Sequence, residues 1–167
     1  MKAQTSLADF RIEQAGAEHA PLILSFIKEL ADYERLSHEV VATEESLKNS
    51  LFGEHPAAEV IIGYYRDAPV CFALFFHNFS TFLGSRGLYL EDLYVKPEMR
   101  GRGIGRAMLS HLARLAKQRD CGRFEWAVLD WNEPAIRFYK SLGAVAMDEW
   151  TTFRMTGASL DRLAEAY

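Results

Sequence analysis

The residues most suited to chemistry form a short run of arginine and glycine between positions 100 and 106. Three glycines alternate along it and leave backbone N–H groups without side-chain cover: Gly101, Gly103 and Gly105. Its arginines can supply positive charge to phosphates: Arg100, Arg102 and Arg106. The apolar spacing predicts a strand over 88–95 and a helix over 104–117, so the positive end of the helix points at the run. Such a run can hold a pyrophosphate.

Three interpretations of this run compete. The first is a flexible turn with incidental arginines. The second is a Rossmann dinucleotide site, but Arg106 occupies the last glycine of Gly-x-Gly-x-x-Gly, and the loop from Val95 to Gly103 is long for that tight turn. The third is the CoA pyrophosphate loop of the GNAT acetyltransferases, Arg/Gln-x-x-Gly-x-Gly/Ala, which the run resembles at Arg100, Gly103 and Gly105.

The resemblance to GNAT acetyltransferases extends over nearly the whole chain. Further segments are similar to the diamine (spermidine/spermine) acetyltransferases: 28–34, 52–56, 89–92, 131–134 and 138–140. The resemblance implies acetyl-CoA as the co-substrate, no metal, and direct transfer of the acetyl group to a small amine. Because the relatives are homodimers, it also implies a homodimer.

The family pattern implies which residues contact CoA. The backbone of Leu93, Tyr94 and Val95 is expected to pair with the pantetheine arm like an additional strand. Further contacts are expected from the loop, the start of the next helix and the segment after 131: Arg100, Gly101, Arg102, Gly103, Ile104, Gly105, Arg106, Asn132, Ala135 and Tyr139. Asn132 equally suits the N-cap of a helix, and the two roles are compatible.

An amine must lose a proton before it can attack an acetyl group. At pH 7 this costs a free alkylamine about 4.6 kcal/mol, because its pKa is near 10.4. The resemblance implies a β-bulge at 91–92, with Glu91 acting through water as the base, and Tyr139 as the general acid for the departing thiolate. Taken alone, Glu91 and Asp92 could be solvated charges at a strand end, and Tyr139 could be core packing.

The expected substrate contacts are spread over the chain. Tyr33 and Glu34 match the family's substrate-contacting pair, and Asp92 is expected either to hold the substrate or to support a loop. The polyamine enzymes carry an acid and a tryptophan before 89–92, where this chain has Ser80 and Thr81. These hydroxyls resemble the thialysine acetyltransferase branch and suit the carboxylate and ammonium of a free amino acid.

We therefore expect an N-acetyltransferase acting on thialysine or a related amino acid or diamine. The alternatives are a polyamine acetyltransferase of the spermidine/spermine type, a protein N-acetyltransferase, and an acyl-CoA-binding module without turnover. A net negative stretch over 28–45 could attract a cationic amine, although a solvated helix face explains it equally well.

Composition and charge limit the expected domain number, binding partners and cellular location. The 167 residues suit one domain over 1–167, and a net charge of −4 disfavours a nucleic-acid surface. The five histidines lack metal-ligand spacing, and Cys71 and Cys121 are typical of buried thiols in a reducing cytosol. Residues 1–10 lack an apolar signal segment, and the apolar run at 70–76 is too short to cross a bilayer. We expect a cytoplasmic protein that binds neither nucleic acid nor membrane.

The element pattern predicts an α/β protein with the GNAT fold: a mixed central sheet of about six to seven strands flanked by about four helices. Strands are expected from Phe10 and over 59–65, 70–79, 88–95 and 123–129, with two short ones near Val145 and over 150–155. Helices are expected from Pro21, after Thr43, over 104–117 and 132–142, and over 160–167. The strands at 88–95 and 123–129 should be parallel, joined by a right-handed crossover.

Overall fold

The chain falls into two compact units, Met1–Ala127 and Val128–Tyr167. The computed structural model describes residues 2–4 and 7–166. Within these residues the first unit contains the sheet and three α-helices, and the second contains two α-helices.

A mixed sheet forms the frame of the first unit. Its strands are β1 (Lys2–Gln4), β2 (Phe10–Gln14), β3 (Glu59–Tyr65), β4 (Ala68–Ser80), β5 (Ser85–Val95) and β6 (Arg123–Trp126). Each strand neighbours the next in chain order; β1 to β5 pair antiparallel, and β5 and β6 pair parallel. The α/β class and the parallel pair are therefore confirmed. The six strands of the described residues lie at the lower end of the predicted number. One of them, β1, is not predicted by the sequence pattern.

The helices of the first unit are α1 (Ala20–Tyr33), α2 (Glu44–Phe52) and α3 (Ile104–Gln118). Pro21 lies in the first turn of α1, where a missing N–H costs nothing. Thr43 caps α2 as predicted: the Ser46 N–H donates to Thr43 Oγ1 at 3.1 Å, and the Thr43 N–H donates to Ser46 Oγ at 2.9 Å. These local bonds fix where α2 begins.

The core lies where α1 and α2 pack on the sheet. The apolar run of β4 is buried almost throughout, as expected of a strand covered on both faces. Phe26 of α1 stacks on Phe72 of β4 with ring centroids 5.4 Å apart and planes 3° from parallel. The apolar stripe of α3 is also buried at Ile104, Met108 and Leu112.

The second unit contains α4 (Glu133–Ser141) and α5 (Gly157–Ala164). The two strands predicted near Val145 and over 150–155 are wrong, because residues 144–156 form only turns and irregular structure. Their apolar side chains are exposed, Val145 at 84% and Phe153 at 92%. A strand persists only where a neighbour satisfies its backbone groups, and these residues form no strand ladder.

Two predicted boundaries also differ from the structure. The strand that begins at Arg123 ends at Trp126 rather than at 129, and the last helix spans Gly157–Ala164 rather than 160–167. The final residue of that predicted helix, Tyr167, lies outside the described residues.

Candidate functional site

A β-bulge in β5 produces the most unusual geometry of the first unit. Leu74 of β4 pairs with Asp92 and Phe75 pairs with Leu90, so Glu91 has no partner across the strand. The extra residue confirms the predicted bulge. It frees Glu91 and Asp92 from the strict alternation of a regular strand, in which adjacent side chains point to opposite faces. The Glu91 side chain is exposed, and that of Asp92 is half-buried.

Two other carboxylates act on Asp92 at this bulge, and we call Glu34, Glu91 and Asp92 the carboxylate cluster. Burial, together with the smaller effect of the negative charges of Glu91 and Glu34, raises the pKa of Asp92 to about 6. Burial also raises the pKa of Glu34, which follows the last residue of α1. A carboxyl with a pKa near 6 is poised to exchange protons near neutral pH, and the cluster as a whole favours a cationic guest.

The end of β5 has an open edge. β6 pairs with β5 only from Gly87 to Leu90, and beyond Leu90 none of the described strands pairs with that side of β5. On its other side, this part of β5 pairs with β4, up to Val95 opposite Cys71. Backbone groups of Leu93, Tyr94 and Val95 can therefore pair with an extended ligand, as they would with an additional strand.

The loop after β5 has the geometry of an anion cradle. Gly101 and Gly103 take positive φ angles of 73° and 81°, in the left-handed region that favours glycine. Gly103 is the N-cap of α3, and the first turn of that helix contains no acidic residue. The first backbone N–H groups of α3 have no partner within the helix, so they can donate to a phosphate. The side chains of Arg102 and Arg106 are exposed beside them.

Arg100 is placed differently from the other arginines of the loop. Its Nε–H donates to the carbonyl oxygen of Val95 at 2.9 Å, and its guanidinium carbon lies 4.5 Å from the centroid of the Tyr33 ring. The sequence predicts that Arg100 contacts phosphates and that Tyr33 contacts the substrate. It does not predict the contact between these two side chains. No local spacing signals it, because the two residues belong to distant elements.

Ser80 and Thr81 are placed at the far end of the β4–β5 hairpin. Ser80 is 6% exposed, and its Oγ accepts a hydrogen bond from the Leu83 N–H at 3.3 Å. Ser80 pairs with Ser85, and Glu91 lies six positions further along β5, a span of about 20 Å. The structure thus does not bring these two hydroxyls together with the carboxylate cluster.

The remaining predicted residues lie in the second unit. Asn132 caps α4, as its Oδ1 accepts a hydrogen bond from the Ala135 N–H at 3.4 Å, which confirms the predicted N-cap. Tyr139 is half-buried on α4, and its ring centroid lies 5.6 Å from that of Phe138. The CoA contacts of Asn132 and Ala135 and the acid role of Tyr139 remain predictions.

The described residues contain neither a candidate metal site nor a candidate membrane-spanning helix. No group of three or more His, Cys, Asp or Glu side chains within them could hold a metal ion. None of the helices in this part of the chain is long and apolar enough to cross a membrane.

The chain is similar to a known protein family and to several individual proteins. Residues 25–144 match the profile of the Acetyltransferase (GNAT) family. The chain is 38% identical to a thialysine N-epsilon-acetyltransferase of Mus musculus, over 95% of this chain and 99% of that protein. It is 40% identical to the enzyme of the same name from Bos taurus, with the same coverage. An integron cassette protein from the mobile metagenome of V. cholerae has a similar structure, with a TM-score of 0.80, 32% identity, and coverage of 96% of this chain and 100% of that one.

The profile match spans most of the chain, and the relatives align along nearly its full length. The chain therefore belongs to the GNAT family of acetyltransferases and is an N-acetyltransferase.

Proposed function

We propose that this acetyltransferase moves the acetyl group of acetyl-CoA to the side-chain amine of thialysine or of a similar short amino acid or diamine. That it is an acetyltransferase acting on a small amine follows from its family and relatives. The observation that carries the finer proposal is the carboxylate cluster. Two of its members, Glu91 and Asp92, lie on the same strand, β5, as the open edge. That edge leads to the loop over 96–103, which we call the glycine loop.

Two features support acetyl-CoA as the donor. The glycine loop and the start of α3 offer backbone N–H groups and arginines to a pyrophosphate. The open edge of β5 offers unpaired backbone to an extended arm. The loop follows directly on this edge, as the order of pantetheine and pyrophosphate in CoA requires.

The proposed chemistry is direct transfer. A water held by Glu91 takes one proton of the substrate ammonium and passes a proton to the Glu91 carboxylate, and the freed amine attacks the acetyl carbonyl carbon. The carbon–sulfur bond breaks, and Tyr139 gives its phenolic proton to the departing thiolate. The amide nitrogen then loses its second proton, which water returns to the Tyr139 phenolate. Asp92 holds the cationic end of the substrate, because its ionised form gains most from a neighbouring positive charge.

The choice of thialysine rests on the relatives of that name, which align along nearly the full chain. The hydroxyls of Ser80 and Thr81 add no support within one chain, because they lie about 20 Å along β5 from Glu91. A polyamine is the second candidate, since a cluster of three carboxylates also suits a long polycation.

A panel of amines with acetyl-CoA tests the substrate. We expect kcat/KM to be highest for thialysine, lower for ornithine and lysine, and lowest for spermidine and spermine. A higher kcat/KM for spermidine than for thialysine would show that a polyamine is the preferred substrate, while the acetyltransferase reaction would stand. Acetylation of peptide N-termini or lysines alone would favour a protein acetyltransferase. CoA binding without CoA release on any amine would favour a module without turnover.

The two units are proposed to form one catalytic domain, because the family profile spans the boundary between them. The protein is further proposed to be a cytoplasmic homodimer. The exposed apolar side chains of Val145, Trp150 and Phe153 support a partner surface, and the unpaired thiols of Cys71 and Cys121 suit a reducing compartment. Sedimentation equilibrium is expected to give twice the chain mass, and a monomer would contradict the dimer.

A further inference from the structure

The guanidinium of Arg100 lies against two tyrosine rings that belong to different elements. Its carbon is 4.5 Å from the ring centroid of Tyr33, the last residue of α1, and 5.7 Å from that of Tyr94 on β5. Its Nε–H donates to the carbonyl oxygen of Val95 at 2.9 Å. Arg100 therefore joins the end of α1 to the end of β5 from its position at the start of the glycine loop.

A second set of contacts also joins α1 to the end of β5. The Tyr94 hydroxyl donates to Glu29 Oε2 at 3.0 Å, which ties β5 to α1 one helical turn before Tyr33. Burial and the Glu29 carboxylate raise the pKa of Tyr94 to about 12, so this hydroxyl keeps its proton at neutral pH. The Lys96 ammonium lies 5.8 Å from the centroid of Phe26, also on α1. Tyr94 is thus held in place, and the Arg100 guanidinium lies against its ring.

The junction connects both halves of the proposed site. Tyr33 is 37% exposed and immediately precedes Glu34 of the carboxylate cluster. Val95 ends the open edge of β5, and Arg100 opens the loop toward α3. A side chain that fixes Tyr33 therefore also fixes the backbone from which Glu34 extends.

We propose that Arg100 is a positioning residue for the amine site: it holds Tyr33, and through it Glu34, rather than acting chiefly as a phosphate ligand. This inference rests on the proposed function. Planar stacking on a ring and the directed Nε–H bond both depend on the guanidinium group, and a lysine reproduces neither fully. Loss of such a contact is typically worth a change of roughly fivefold to thirtyfold in affinity.

Kinetics with two acetyl donors separate positioning from phosphate binding. Acetyl-pantetheine carries the same thioester as acetyl-CoA but has no pyrophosphate. With Arg100→Met we expect the KM for thialysine to rise about tenfold with either donor. Arg66→Met is the matched control, because Arg66 also stacks on a tyrosine, with its guanidinium carbon 5.5 Å from the Tyr65 centroid, but on the β3–β4 turn. It should leave both KM values unchanged.

The opposite pattern would overturn the proposal. A phosphate ligand predicts that Arg100→Met raises the KM for acetyl-CoA, spares the KM for the amine, and has no effect with acetyl-pantetheine. If Arg100→Met does not fold, Arg100→Lys is measured in the same way. It should give a smaller rise in the amine KM, again with both donors.

A measurement that needs no turnover keeps this inference separate from the proposed function. In protein with labelled tyrosine rings, the Tyr33 resonances are assigned by their loss in Tyr33→Phe. Arg100→Met should shift them strongly, whereas Arg66→Met should shift only those of Tyr65. Unmoved Tyr33 resonances would refute the contact. If the wild type acetylates no amine, the proposed function fails, while this spectrum still decides whether Arg100 holds Tyr33.

Discussion

Helices α3 and α4 both carry residues of the proposed site, but they are held in different ways. α3 buries five side chains, from Ile104 to Ala116, beneath the glycine loop at its start. None of the side chains of α4, which carries Tyr139, is buried, and its start is fixed by the Asn132 cap. The loop at the start of α3 is thus positioned by the core of the first unit, whereas the start of α4 is fixed by a local hydrogen bond. Changes in the loop before α3 should affect CoA binding, and changes at α4 should affect the chemistry proposed for Tyr139.

The largest effect is expected at the N-cap of α3. Gly103→Glu places a carboxylate where phosphate is proposed to bind, and it also forces a left-handed φ of 81° on a residue with a side chain. We expect the affinity for CoA to fall by about a thousandfold or more in calorimetry, since opposed like charges cost several kcal/mol. The matched control is Gly157→Glu, at the start of α5 with a φ of 53°. Equal losses of CoA affinity in both variants would show that the loop before α3 has no specific role in CoA binding.

The next effect concerns the chemistry carried by α4. Tyr139→Phe removes one hydroxyl and keeps the ring beside Phe138. We expect kcat to fall about 100-fold, the low end for the loss of a general acid, with unchanged CoA affinity. Tyr65→Phe is the control, since Tyr65 lies on β3 beside Arg66. Wild-type turnover by Tyr139→Phe would mean that water or another group protonates the thiolate.

A third effect is expected in the carboxylate cluster and concerns stability. The pKa of Asp92 is raised from 3.8 to about 6, so the folded state binds this proton more tightly than the unfolded state. The stability contributed by the protonated form is present below pH 3.8 and is lost as the pH rises through 6. Asp92→Asn should therefore increase the free energy of unfolding by about 2 kcal/mol at pH 7 and have little effect at pH 4.

Urea unfolding at the two pH values measures this difference, with the exposed Asp148→Asn as the control. The same Asp92 variant should lose activity, since it removes a charge that the amine is proposed to need. A stability gain that is equal at pH 4 and pH 7 would contradict the raised pKa.

The smallest effect is expected at two helix caps, Asn132 of α4 and Thr43 of α2. Asn132→Ala and Thr43→Ala each remove one side-chain cap and should each cost about 1 kcal/mol of stability. Only Asn132→Ala should also lower kcat, because α4 carries Tyr139 and α2 carries no residue of the proposed site. Thermal unfolding and steady-state kinetics measure both quantities. Unchanged kcat in Asn132→Ala would show that α4 does not depend on its cap for position.

Local patterns predict much of this molecule. The buried run of β4, the cap of α2, the stripe of α3 and the bulge at Glu91 all follow from spacing or family pattern, and the structure contains each of them. The predicted strands near Val145 and over 150–155 are absent, because alternation of apolar residues cannot supply a neighbouring strand.

The sequence also does not predict contacts between elements that are far apart along the chain. Nothing in the sequence around Tyr94 signals its bond to Glu29, which lies 65 residues away, and the stacking of Arg100 on Tyr33 is equally hidden. The raised pKa of Asp92 depends on burial and on the charges of Glu91 and Glu34, and Glu34 belongs to a distant part of the sequence. Residue types can suggest a carboxylate or an arginine for a site, but tertiary packing decides what each one faces.

The open edge of β5 has a consequence for mutational scanning. Beyond Leu90 this edge offers peptide groups, and every residue except proline offers the same N–H and C=O. A library of single replacements would therefore score Leu93 and Val95 as tolerant positions even if both contact the donor. Proline, or an ester in place of one amide, would reveal them. Donor binding through this edge, as proposed, would use atoms that genetic variation can rarely change.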